Sequence, residues 1–100
     1  MRTTTPRIAP LTDAEFNDEQ KEMLAPMGGR VLNIFRTLVR DPKAFRGFLG
    51  WGNYVLSRRN GLPEREREIV ILRVGYLCKS GYEWTQHHAI GKRAGLSDDE

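Results

Sequence analysis

Apolar positions in this chain recur at helical spacing in segments cut apart by proline and glycine, and no stretch alternates apolar and polar residues between hairpin turn pairs. The pattern predicts an all-α fold of about five helices. Residues 1–12 read as an extended arm, because Pro6 and Pro10 bar a helix and the threonines favour extended or turn backbone. Asn17 followed three residues later by Gln20 has the spacing of a capping box. It predicts a short first helix ending near Ala25, before Pro26. After the "MGGR" break, "VLNIFRTLVR" predicts a second short helix. Asp41 and Pro42 then read as the N-cap and first residue of a third.

The third helix carries the clearest stripe: Phe45, Phe48, Leu49, Gly52, Val55 and Leu56 fall on one face, which predicts packing on a core. Gly47, Gly50 and Gly52 each cost a helix about 1 kcal/mol against alanine, so close approach by another backbone, or by a ligand, is expected there. "RRNGLP" is a turn, with Pro63 as the first residue of a fourth helix whose opening acids, Glu64 and Glu66, suit the positive end of the helix dipole. From Ile69 to Cys78 only Arg73 is charged, which predicts a central helix buried on nearly all sides, inside the domain or against another subunit. Gly81 separates it from a fifth helix that stops at Gly95. Beyond it Ser97 and Glu100 again have capping-box spacing, which announces a further helix past the last residue.

Composition narrows the class. At 100 residues with 39% apolar and 29% charged, the chain suits one globular domain or part of one. No apolar run approaches the roughly 20 residues needed to cross a bilayer, and "MRTTTPRIAP" lacks the apolar centre of a secretory signal, so a cytoplasmic protein without membrane partners is expected. The net charge of +3 is dispersed, which argues against nucleic acid as a partner. The single cysteine, Cys78, has no disulfide partner within the chain and lies in an apolar run where burial is expected.

Candidate chemistry gathers in "GYEWTQHH". At about 100° per residue, Glu83 and His87 share one face of the fifth helix, and Ser80 would join them if the helix began a turn earlier. A carboxylate beside an imidazole suits proton transfer near neutral pH, although the same pair also serves as a plain helix-stabilising contact. His88 points away from His87, toward Trp84, so the two histidines diverge and no metal site is expected. Glu68, the last acid before the apolar run, reads either as partly desolvated at the mouth of the core or as a solvated first-turn acid. Arg73 should find a partner in an acid such as Glu66 or in an anionic ligand.

Together, "LPEREREIVILRVGYLCKSGYEWTQHHAIGKRAGLSDDE", "RIAPLTDAEFNDEQKEML" and "NIFRTLVRDPKAF" resemble the carboxymuconolactone decarboxylase family, which shares the alkylhydroperoxidase D-like fold. The resemblance implies such a helical domain over residues 13–100, continuing in further C-terminal helices. The family's peroxidase branch uses a glutamate, a C-x-x-C pair and a histidine. Laid on this chain they fall on Glu68, Ser80, Glu83 and His87, and both thiols are missing. Thiol peroxidase activity is therefore not expected, since exchange needs two sulfurs. The resemblance implies instead a decarboxylase-like lyase of aromatic-compound catabolism that needs no metal or organic cofactor and acts on a small, anionic, carboxylated lactone. His87, Glu83 and Glu68 form the expected catalytic set, and Arg73, Ser80 and Trp84 the expected substrate-binding set. It further implies a homo-oligomer, a trimer or hexamer, with sites near subunit contacts. The competing expectation is a non-catalytic helical oligomer or small-ligand-binding protein.

Overall fold

A computed structural model describes residues 3–100, which are all-helical: five α-helices and no strand among the described residues. The helices are α1 (Asp18–Leu24), α2 (Asn33–Leu38), α3 (Pro42–Val55), α4 (Glu64–Leu77) and α5 (Gly81–Arg93), with short 3-10 turns at Asp13–Glu15 and Ala25–Met27. They fall into two compact units, the first extending to Asn53 and the second running from Tyr54 to Glu100. Residues 1 and 2 of the expected arm lie outside the described residues.

In the first unit the capping residues sit where their spacing places them. Asn17 Oδ1 accepts from Gln20 N at 2.9 Å and Gln20 Oε1 from Asn17 N at 2.9 Å, the reciprocal box that satisfies two orphan donors of α1. Asp41 Oδ1 accepts from Lys43 N and Ala44 N at 3.0 and 3.1 Å, capping α3. Leu11, Leu24, Val39 and Phe45 form the buried centre, with Phe35 edge-on to Phe45 at 6.1 Å. Non-helical residues before Thr12 are tied down by arginines: Arg36 Nη1 donates to Leu11 O at 2.9 Å and Arg40 Nε to Ala9 O at 2.9 Å. Part of the dispersed positive charge thus satisfies the backbone carbonyls of an irregular segment.

The stripe on α3 is covered in part, with Leu49 also packed against the core. Phe45 is buried, whereas Phe48 and Leu56 are 36% and 52% exposed. Nothing lies within 4 Å of a Cβ built on Gly47 or Gly50, and at Gly52 only the ring of Phe48, one turn back, comes near. Among the described residues no other backbone approaches these glycines closely; close approach occurs instead at Gly75 and Gly91, between α4 and α5.

In the second unit α4 and α5 pack as an antiparallel pair. α4 starts one residue later than expected, with Pro63 as its N-cap. Its reversal into α5 is also displaced from Gly81: Lys79 takes the left-handed conformation (φ 54°), and Ser80 N reaches back to Gly75 O at 2.8 Å. This is a Schellman ending built on a residue with a Cβ, at a cost of roughly 1 kcal/mol. Gly81 is the first residue of α5, and Ser80 is its N-cap. At the far end Gly95 (φ 102°) lets Leu96 N bond Gly91 O at 3.0 Å, closing α5 as expected.

The expectation that α4 is enclosed within the domain is overturned. Ile69, Val70, Val74, Tyr76 and Leu77 are 40–64% exposed, while its buried residues are Arg67, Glu68 and Gly75. One neighbouring helix covers one face, and α5 covers the face that carries Glu68 and Gly75. Cys78, on the uncovered side, is exposed rather than buried. Among the described residues no helix is long and apolar enough to cross a membrane.

Candidate active site

Glu68 lies in the second turn of α4 and is fully buried by α5. Its Oε2 is 2.7 Å from His87 Nδ1, nineteen residues away, and its Oε1 is 3.4 Å from Arg67 Nε. The other ring nitrogen, His87 Nε2, lies 3.7 Å from Glu83 Oε2, one turn earlier on α5. A carboxylate, an imidazole and a second carboxylate are thus strung in a row. The first is sealed from solvent and the last is 39% exposed. Of the two readings open for Glu68, the desolvated one holds, because the α4–α5 contact closes over it.

Glycines make this approach possible. A Cβ at Gly75 would stand 3.3 Å from Glu83 Cβ, and one at Gly91 would stand 2.8 Å from Leu96 Cδ1 and 3.7 Å from Glu68 Cβ. Each marks a place where the two helices come closer than side chains on both would allow. Ser80 Oγ accepts from Glu83 N at 3.3 Å, so the serine starts the helix that carries the acid and uses its side chain in the cap.

Burial of Glu68 requires a counter-charge, which Arg67 provides. Arg67 is 8% exposed and approaches both Glu68 Oε1 and, at 3.8 Å, Glu64 Oε1. Sequence reasoning missed this residue. Adjacent residues on a helix point about 100° apart, so pattern gives no reason to pair Arg67 with Glu68. The one available signal was the Glu64-to-Arg67 spacing on a single face.

Arg73 and Trp84 stand elsewhere. With Ile69, Tyr76 and His88 they line a cleft of about 330 Å³ on another side of the α4–α5 pair, and Glu68, Glu83 and His87 do not contribute to it. Trp84 stacks on His88 at 6.3 Å between ring centroids, the direction expected for His88. Arg73 forms no ion pair with Glu66 among the described residues: it is exposed, and its guanidinium rests over the Tyr76 ring at 5.8 Å.

His87 offers one nitrogen to Glu68 and the other to Glu83, so the three do not converge on a point. Among the described residues no group of three or more histidine, cysteine or acidic side chains is arranged to hold a metal ion.

The sequence model of the carboxymuconolactone decarboxylase family matches residues 42–100, which take in α3, α4, α5 and every residue of this site. The chain belongs to that family. Its described residues are all-helical, as in a carboxymuconolactone decarboxylase-type domain, and family membership makes it a decarboxylase-like or alkylhydroperoxidase-like protein. No curated protein and no solved structure matches it.

Proposed function

We propose that this family member is a decarboxylase-like lyase, which performs acid/base chemistry without a cofactor on a small carboxylated lactone. The observation that carries the reading is the 2.7 Å contact between the fully buried Glu68 and His87 Nδ1. A carboxylate there fixes the ring tautomer with its proton on Nδ1, leaves Nε2 free to take and return a proton, and offsets the charge of the doubly protonated ring. Glu83, half-buried at 3.7 Å from Nε2, links that nitrogen to solvent.

In the proposed reaction the bond from the lactone to its carboxylate breaks, CO2 leaves, and the electron pair passes into the conjugated ring as an enolate. The doubly protonated His87 then delivers its Nε2 proton to carbon, which leaves the Nδ1–H tautomer, and solvent restores the Nε2 proton by way of the Glu83 carboxylate. Thiol peroxidase chemistry has no place in this scheme, because Cys78 is the sole sulfhydryl in the sequence and a disulfide cycle needs two. Exposed apolar residues along α4 support assembly with further copies of the chain. The test is His87→Gln against muconolactone-type acids: turnover falls at least a hundredfold, roughly the contribution of a general acid, while far-UV circular dichroism is unchanged. Undiminished turnover would remove His87 from the chemistry.

A second reading, a small-ligand-binding protein without catalysis, is favoured by the separate cleft with the Trp84–His88 stack. Ligand binding at that stack with no turnover of any lactone acid by the native chain would select it.

A further inference from the structure

Besides touching Glu68, Arg67 faces outward. It forms part of the wall of a cleft of about 370 Å³ where the turn after α3 meets the start of α4, with Leu56, Arg58, Asn60, Leu62 and Glu64. That volume lies in the range of small-molecule sites.

The guanidinium is incompletely used. Its Nε donates to Glu68, but neither Nη atom donates a hydrogen bond among the described residues. The remaining contact is the 3.8 Å approach of Nη2 to Glu64, whose side chain is 56% exposed. An arginine more than nine-tenths buried has lost most of its hydration, so donors left open toward a cleft are strong sites for an incoming oxyanion. The turn that forms the opposite wall is held in shape by Asn60. Its Nδ2 donates to Tyr54 O, Val55 O and Ser57 O, and its Oδ1 accepts from Leu62 N at 2.9 Å. With its polar atoms thus engaged, Asn60 shapes the cleft and is not available to a ligand. Arg58 adds a second positive charge, and Leu56 and Leu62, about half exposed, offer apolar contact.

We infer that this cleft binds the carboxylate of a small organic acid, with Arg67 as its anchor and Arg58 at its rim. The cleft supplies what such a ligand needs: a fork of donors for the carboxylate and aliphatic walls for its body. Bound there, the anion and Glu68 share one guanidinium, so occupancy of the cleft is communicated to the carboxylate that holds His87. The inference goes beyond the proposed function, since neither His87 nor Glu83 lines this cleft, and it stands as a binding site even if no turnover occurs.

The experiment is an NMR titration of the native chain with muconolactone and, separately, with its neutral methyl ester at constant ionic strength. The acid shifts the Arg67 side-chain Nε–H and the Arg58 and Leu62 amides before the Trp84 indole N–H, which reports on the other cleft. The ester binds ten- to a hundredfold more weakly, the worth of a charge-assisted hydrogen bond. Arg67→Lys and Arg58→Ala each weaken the acid and narrow its advantage over the ester. The Arg58 substitution alters no buried group, so its result does not depend on how well the Arg67 variant folds. Equal affinity for acid and ester, or shifts confined to Trp84, would overturn the anchor. Acid binding at Arg67 without turnover would refute the lyase reading and leave the anchor standing, whereas turnover of the acid at the native rate by Arg58→Ala and Arg67→Lys, with its binding unweakened, would do the reverse.

Discussion

Charge compensation between Arg67 and Glu68 is open to a direct test of stability. Glu68 has 0% exposure and Arg67 retains 10% of its side-chain surface, and Arg67 is the permanent positive charge beside a carboxylate whose closer contact is the titratable His87 ring. Glu68→Gln keeps the shape and an oxygen that accepts from His87 Nδ1, but it turns a neutral amide toward a guanidinium that has lost its carboxylate. Removing one partner of a buried ion pair costs about 3–5 kcal/mol. The partly open cleft beside Arg67 and the 3.4 Å length of the contact reduce that to about 2–3 kcal/mol here. Arg67→Met, which leaves the carboxylate with His87 alone, should cost a similar amount. The double substitution should cost less than the sum by at least about 1 kcal/mol, since it removes both charges.

The assay is urea denaturation of the four proteins at one fixed protomer concentration, because assembly would otherwise contribute to apparent stability. With a slope of about 1–2 kcal/mol per molar urea, each single substitution lowers the midpoint by about 1–2 M. If the two losses add to within about 0.5 kcal/mol, the residues are energetically independent, and the argument that Arg67 makes Glu68's burial tolerable is wrong.

Gly75→Ala gains about 1 kcal/mol of helix propensity and loses a similar amount by pressing on Glu83 Cβ at 3.3 Å, so the urea midpoint should barely move. Turnover should nevertheless fall several-fold, because the displaced carboxylate is the one 3.7 Å from His87 Nε2; unchanged turnover would detach Glu83 from the chemistry. Hydrogen bonding from Lys92 holds the Asp98 carboxyl below its ordinary range, and the Ser97 amide with the Arg65 guanidinium does the same for Glu100. Groups lowered in the folded state lend stability above their unfolded values and lose it as pH falls through the folded ones. Residues 97–100 should therefore loosen below about pH 4 while α4 and α5 stay folded, seen as faster amide exchange at Ser97 alone. Finally, Cys78→Ser should leave lactone turnover unchanged, and neither protein should consume hydroperoxide with a dithiol reductant; peroxide turnover by the native chain would reinstate thiol chemistry.

Local features of this chain were legible without coordinates because they depend on neighbours a few residues away. Asn17 with Gln20, Asp41 with Pro42, and the Gly95 stop all act within one helical turn, and each sits where its spacing predicts. Ser97 and Glu100 show the same locality. The box contact forms, with Ser97 N donating to Glu100 Oε2 at 3.0 Å, although no helix follows within the described residues. Pattern was silent on what covers a helix. The apolar run of α4 predicted burial inside the domain or against another subunit, and within the chain α5 covers one face and leaves Val70, Val74 and Leu77 more than half exposed. Glycine content was likewise ambiguous: Gly47 and Gly50 face open space, while Gly75 and Gly91 set the helix separation.

Residue order alone determined an all-helical chain, its punctuation, the Glu83–His87 spacing, and, through the motif that spans α4 and α5, its family. Tertiary structure decided which acid the imidazole holds, that Arg67 and not Arg73 carries the buried positive charge, and that Trp84 belongs to a different cleft. The division has one physical origin. Helical periodicity dictates which side chains on the same helix share a face, but the pairing of Glu68 with His87, nineteen positions apart, depends on how closely two backbones approach, and that distance is set by side-chain volume at Gly75 and Gly91.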